Sequence, residues 1–278
     1  MRLILLTCLT MIAFAANSVL NRLALADGAM GPASFAAIRL VAGAGVLVAL
    51  CLATQGGFSW RGKHRIWGTL SLALYVVGFS FAYVTLPSGV GALMLFGGVQ
   101  VTMFSGAVVL GEDVPPNRWL GAGVAFAGLV WLLWPGGAAA PSLAGCLLMG
   151  AAALGWGVYS LLGRGADNPL QSTGANFLLA VPLGLLMFAI LPDTATPKGI
   201  VLAAISGGVT SGLGYALWYS ILPQLGAARA AVAQLTVPII ALVGGMAFLS
   251  EALSLRFAIA AALVLSGVVI SLRGGKRA

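Results

Sequence analysis

Tyr75, Phe79 and Tyr83 recur every four residues within an apolar run, a spacing that places three rings on one face of a helix. Further aromatic sets lie in later apolar runs: Trp156 and Tyr159 beside Ser160, then Tyr215, Trp218 and Tyr219. A stripe of Thr10, Phe14, Asn17 and Asn21 begins the chain, and Phe96, Gln100, Met103 and Gln234 add polar or polarisable groups to apolar surroundings. Such residues can stack a planar ring and hydrogen-bond a polar head. They cannot run acid–base chemistry. Asp27, Glu112, Asp113, Asp167, Asp193 and Glu251 all fall between apolar runs or at their ends, and the single histidine, His64, sits in a basic loop. Cys8, Cys51 and Cys146 lie in apolar runs without CxxC or metal-ligand spacing, so no disulfide or zinc is indicated. No catalytic residue, metal site or cofactor is expected. Each polar residue also has a second reading. Asn and Gln inside a membrane join helices at about 0.6–2 kcal/mol per bond, and rings fill a core equally well.

The elements that must position these side chains follow from composition. Of 278 residues, 60% are hydrophobic and 7% charged, against roughly 25% charged in soluble proteins. With a mean hydropathy of +1.06, a soluble enzyme and a disordered chain are both excluded. The net charge of +8 would suggest nucleic acid in a soluble protein. Here the basic residues lie mostly in loops and read as orientation signals; the lipid bilayer, not nucleic acid, is the expected surrounding. At ~20 residues per span the chain holds about ten spans, all α. Cutting at charges and at Pro/Gly clusters places them at 3–24, 33–53, 66–85, 89–110, 119–135, 142–162, 172–191, 199–221, 230–249 and 257–272. Pro32 and Pro141 suit first helical turns, whereas Pro182 and Pro238 fall inside spans and are expected to kink them. Trp60, Trp67, Trp119, Trp131 and Trp134 fall at span ends, as in an interfacial belt.

On one side of the membrane fall Arg2, Arg61, Lys63, Arg65, Arg118, Arg164, Arg229, Arg273, Lys276 and Arg277; on the other, only Arg22, Lys198 and Arg256. The richer side is read as cytoplasmic, with both termini on it. Arg2, an apolar run and Ala13-Phe14-Ala15 also resemble a signal peptide, but an internal repeat requires this segment as a span. Gly111-Glu112 answers Ser250-Glu251 and Gly128-Leu129-Val130 answers Gly267-Val268-Val269 with a slide of 139. Leu86-Pro87 answers Leu222-Pro223 at 136, and Asn21-Arg22 answers Gly163-Arg164 at 142. Residues 1–137 and 138–278 thus read as two five-span halves joined at Gly136-Gly137-Ala138-Ala139-Ala140-Pro141. An odd number of spans inverts the second copy, an arrangement common in secondary transporters.

The chain resembles ten-helix, EamA-type members of the drug/metabolite transporter superfamily. The resemblance rests on Asn17, Asn21 and Arg22, on Pro32, Phe35 and Arg39, on the fourth span closing at Glu112, and on Ala227, Gln234, Pro238, Glu251 and Gly267. Val99 stands where the second half has Pro238. Within the superfamily the chain is most similar to aromatic amino-acid exporters of the YddG type. The resemblance implies a basket around a central cavity lined by spans 1, 3, 4, 6, 8 and 9, with spans 5 and 10 peripheral. It implies alternating access and a small-molecule substrate.

Together these readings predict a multi-pass inner-membrane carrier exporting small neutral or zwitterionic metabolites, aromatic amino acids first. An exporter of aromatic cations is the alternative, with cations held by cation–π attraction; an integral membrane enzyme ranks below it. Deep carboxylates that would carry protons are missing. Arg39, the one basic residue inside a span, reads as an anchor that snorkels or binds carbonyls, or else as a gate or a contact for an anionic group. Gly57-Phe58-Ser59-Trp60-Arg61-Gly62-Lys63 approximates a phosphate loop, but His64 replaces the magnesium-binding Ser or Thr and no strand precedes it. Small residues at Gly208 and Gly212, and at Ala258, Ala262 and Ser266, permit close helix contact; a monomer is expected rather than a homodimer.

Overall fold

Apolar runs of this length satisfy their backbone polar groups only by forming helices, and the computed structural model is helical throughout its spans. It describes residues 1–111, 114–134, 140–164 and 166–272, the side chains of 226–228 and 231 excepted. Glu112, Asp113, the run 136–139, the Ala227 side chain, Arg273, Lys276 and Arg277 lie outside the described residues. The first half comprises α1 (Arg2–Leu25), α2 (Pro32–Gln55), α3 (Arg65–Ala82), α4 (Ser88–Val109) and α5 (Pro116–Leu133). The second comprises α6 (Leu143–Gly163), α7 (Pro169–Ile190), α8 (Pro197–Ile205), a π-helical stretch (Ser206–Leu213), α9 (Gly214–Gln234), α10 (Thr236–Leu249) and α11 (Leu255–Leu272). Among the described residues nine helical segments are long and apolar enough to cross a membrane, with α8, the π stretch and the start of α9 forming one of them. The tenth expected span is the 18-residue α5, made less apolar by Pro116, Asn117 and Arg118 in its first turn.

The two prolines expected to kink their spans sit in different settings. Pro182 lies inside α7, which runs unbroken from Pro169 to Ile190. Pro238 lies in the first turn of α10, just beyond a break at Leu235 inside the expected span 230–249; a proline there offers no N–H to the carbonyl four residues earlier, so the interruption falls where the expected disruption of this span would. The loop expected at 222–229 is helical instead, with Pro223 inside α9. The Ala-rich sequence Ala227-Ala228-Arg229-Ala230-Ala231 has high helix propensity.

Packing places α2 against α7, α4 against α10, and α5 against α11; α3 lies on α6, and α1 on both α10 and the eighth span. Small residues set the closest approaches. A Cβ at Gly267 would sit 2.5 Å from the Ala125 nitrogen and the Gly121 carbonyl oxygen, and one at Gly207 would sit 2.2 Å from the Arg39 carbonyl oxygen. Exposed Ile4, Leu147, Leu186 and Val243 cover the outside with apolar surface. Trp60, Trp67, Trp119, Trp131 and Trp134 are likewise exposed, and Cys8, Cys51 and Cys146 are free thiols.

Candidate functional site

Arg39 lies seven residues into α2, about 10 Å along its axis, and is completely buried. The expectation that it snorkels or binds carbonyls is corrected: Nη2 donates to the Tyr75 hydroxyl at 2.9 Å and Nε to the Ser211 hydroxyl at 3.2 Å. Its guanidinium carbon lies 4.9 Å from the Phe79 ring centroid and 5.2 Å from that of Tyr75, within cation–π range. The Tyr215 hydroxyl approaches that of Tyr75 at 3.4 Å.

The π-helical stretch supplies the other side of this network. Its sequence, Ser206-Gly207-Gly208-Val209-Thr210-Ser211-Gly212-Leu213, combines two weak helix formers side by side with three hydroxyls. Such π turns are rare and cluster at functional sites. Here the stretch points hydroxyls at α1: Asn17 Oδ1 lies 2.6 Å from Thr210 Oγ1, 2.8 Å from Ser206 Oγ and 3.3 Å from Ser211 Oγ. Gly207 and Gly43 let α2 and this stretch approach closely enough for Arg39 to reach Ser211.

Aromatic rings continue outward from Arg39. Tyr75 tilts against Trp156 with centroids 4.8 Å apart; Trp156 stacks on Tyr215 at 5.1 Å and on Tyr159 at 5.4 Å. Phe14 meets Tyr215 and Trp218 edge-on, each at 5.7 Å. Tyr159 and Tyr219 then line a recess of about 380 Å³, open mouth included, at the end of the bundle where α3 begins. Lys63, His64, Arg65, Thr173 and Asn176 share its wall. Arg65 Nη1 donates to the Ser172 carbonyl at 2.8 Å and to Asn176 Oδ1 at 2.9 Å, and the Tyr159 hydroxyl donates to Thr173 at 3.1 Å.

The opposite end is tightly closed. Tyr83 packs edge-on against Phe79 at 4.7 Å and donates to the Ser88 carbonyl at 3.2 Å. Asp193 accepts the Ala33 and Ser34 N–H groups at 2.7 and 3.0 Å, and also the Ser34 hydroxyl. Glu251 accepts the Ser88 N–H, while Arg22 lies 3.4 Å from Glu251 and donates to the Tyr83 and Val84 carbonyls. Lys198 joins Asp27 at 2.8 Å. Its hydrogen bond holds the Asp27 carboxyl below the usual carboxylate range. The small stabilisation of this exposed pair is therefore present at neutral pH and lost as pH falls through that lowered value.

The residues singled out from sequence thus divide. Phe14, Asn17, Tyr75, Phe79, Trp156, Tyr159, Tyr215 and Trp218 gather with Arg39 in the interior. Tyr83 belongs to the closed end. Phe96, Gln100, Gln234 and Pro238 line a separate recess between α4, α10 and α11, and Met103 is partly buried against the core. Asn21 is fully buried, and neither amide atom has a hydrogen-bond partner among the described residues. Sequence reasoning missed Ser206, Thr210, Ser211, Asn176 and the capping role of Asp193. The signal for the first three was a Ser/Thr/Gly cluster inside an apolar span. Among the described residues no group of three His, Cys, Asp or Glu side chains could hold a metal.

Residues 143–273 match the EamA-like transporter family. An uncharacterized protein of Pseudomonas aeruginosa is 43% identical over 274 residues, covering 98% of this chain and 94% of that protein. An uncharacterized transporter of Archaeoglobus fulgidus is 26% identical over 255 residues, covering 88% and 90% respectively. A protein solved by crystallography shares the fold, with a TM-score of 0.68 over 97% of this chain and 96% of that one, at 22% identity. An all-helical, multi-pass membrane architecture and these similarities place the chain in the EamA-like transporter family of the drug/metabolite transporter superfamily.

Proposed function

We propose that the protein is a facilitative-type carrier that exports small neutral or zwitterionic metabolites, aromatic amino acids first, by alternating access. The observation that carries this reading is the column of rings from Tyr159 through Trp156 to Tyr75 and Tyr215. It joins the polar recess beside Arg65 to the buried interior. A planar solute can exchange ring contacts step by step along such a column, while hydroxyls beside it serve a polar head. The four described acids, Asp27, Asp167, Asp193 and Glu251, all lie in loops, so an aromatic cation gains no charged partner there.

Alternating access is supported by the pairing of helices. Exchanging the first five spans for the second five maps the principal contacts onto one another: α2·α7, α4·α10 and α5·α11 onto themselves, α3·α6 onto α1 with the eighth span, and α4·α6 onto α1·α10. Such an exchange is what two inverted repeats, 1–137 and 138–278, would give, and repeats of that kind can rock about one another. In this reading the Arg65 end faces the cytoplasm, where the basic loops gather, and the structure is closed at the far end.

The test is solute flux in proteoliposomes containing purified protein. Phenylalanine should move faster than threonine, and a cationic dye should not move. Movement of the dye alone would favour the multidrug reading, and movement of none of the three would remove the proposed substrates.

A further inference from the structure

The guanidinium of Arg39 is incompletely used. Nη2 and Nε have hydroxyl acceptors, whereas Nη1 is buried with no hydrogen-bond partner among the described residues, and no carboxylate there forms an ion pair with Arg39. A cation taken out of water needs both a counter-charge and acceptors for all its donors. Two neutral hydroxyls and two ring faces satisfy that demand only in part. An anchor binding helices together would be better served by carbonyls or a carboxylate, such as Arg22 finds at the closed end.

We infer that Arg39 is the binding site for a substrate carboxylate, and that it makes the carrier select aromatic carboxylates, amino acids included, over their amides and over aromatic cations. The inference rests on the carrier reading above and names the group recognised there. Nη1 offers a charge-assisted hydrogen bond, and exchange of the Tyr75 hydroxyl for a carboxylate oxygen would complete the two-pronged pairing that guanidinium makes best. Tyr75 and Phe79 already lie against the guanidinium, and Trp156 lies against Tyr75. A carboxylate held at Nη1 therefore leaves its ring among rings. The same positive charge, unscreened in the interior, repels a cationic head.

Equilibrium binding to the purified full chain in detergent tests this with three probes sharing one ring: 3-phenylpropionate, its amide, and 2-phenylethylammonium. The wild type should bind the carboxylate about tenfold more tightly than the amide, and the cation most weakly. Arg39→Gln should bring carboxylate and amide within about twofold of each other, and Arg39→Lys should keep part of the preference. Should Arg39→Gln fail to fold, Tyr75→Phe, which frees Nη2, should keep or widen the wild-type preference. Equal affinity for carboxylate and amide in the wild type, an undiminished preference in Arg39→Gln, or binding of none of the probes would each overturn the assignment. A purely structural Arg39 would change melting temperature without changing the preference. Flux separates this result from the broader reading: carboxylate preference without phenylalanine transport defeats the carrier proposal alone, and transport without the preference defeats the Arg39 assignment alone.

Discussion

Glu251 closes over the first residue of α4, its two carboxylate oxygens 3.1 and 2.9 Å from the Ser88 nitrogen. Asp193 caps the start of α2 in the same way. In both cases a loop of the second half supplies an anion to a helix N-terminus of the first, where unpaired N–H groups and the helix dipole favour negative charge. The two halves are thereby joined at one end. Gly245 permits the Glu251 contact, since a Cβ there would lie 2.2 Å from its Oε2. Glu251→Gln and Asp193→Asn should each destabilise this closed state by about 1 kcal/mol. In a Cys8/Cys51/Cys146→Ser background, Leu86→Cys should react faster with an impermeant thiol reagent when Glu251→Gln is added. An unchanged rate would show that the carboxylate does not hold this end shut.

The contact between α5 and α11 makes a prediction about stability alone. Gly267→Ala would drive a methyl group into the backbone at Gly121 and Ala125, at an overpacking cost of about 1–3 kcal/mol. Gly150→Ala meets open space and should leave the melting temperature of the purified protein unchanged or slightly raised. Equal melting temperatures for the two variants would contradict the close approach of these helices.

Topology is checked by labelling. Single cysteines at Ala140 and at Lys63 lie in loops at opposite ends of the bundle. In the same cysteine-free background, Ala140→Cys should label in intact cells, and Lys63→Cys only after permeabilisation. The reverse pattern would overturn a cytoplasmic N-terminus.

How much was legible can be judged from particular residues. The spans were legible because hydrophobic length alone sets them: 3–24 became Arg2–Leu25, and 142–162 became Leu143–Gly163. The breaks were less so. Pro238 was read as disrupting its span, and the span is interrupted at Leu235, one turn before it; the helical continuation of α9 through 222–229, past Pro223, was not legible. The four-residue rhythm of Tyr75 and Phe79 correctly put them on one face. Rhythm within one helix carries no information about partners more than a hundred residues away, such as Ser211 for Arg39, Thr210 for Asn17, or Asp193 for Ser34. Nor does it mark a π turn, within which Gly207 packs against α2.

The proposed facilitative mechanism makes a prediction about energy coupling. With Asp27, Asp167, Asp193 and Glu251 in loops, no described carboxylate can carry a proton through the middle of the bundle. Proteoliposomes given a pH gradient but equal phenylalanine on both sides should show no net accumulation. Robust accumulation under those conditions would contradict the facilitative reading.

The central claim is that the aromatic column is the substrate path, and Trp156, which touches Tyr75, Tyr159 and Tyr215 at once, is its most connected member. Losing one ring contact of about 1 kcal/mol corresponds to a fivefold change, and Trp156→Ala removes three. Phenylalanine counterflow into proteoliposomes, normalised to the amount of inserted protein, should therefore fall at least about fivefold in Trp156→Ala relative to wild type, while Trp119→Ala, on the exposed surface, leaves it unchanged. Wild-type counterflow in Trp156→Ala would mean that these rings are packing alone, and the path would have to be sought along Asn17 and Asn21.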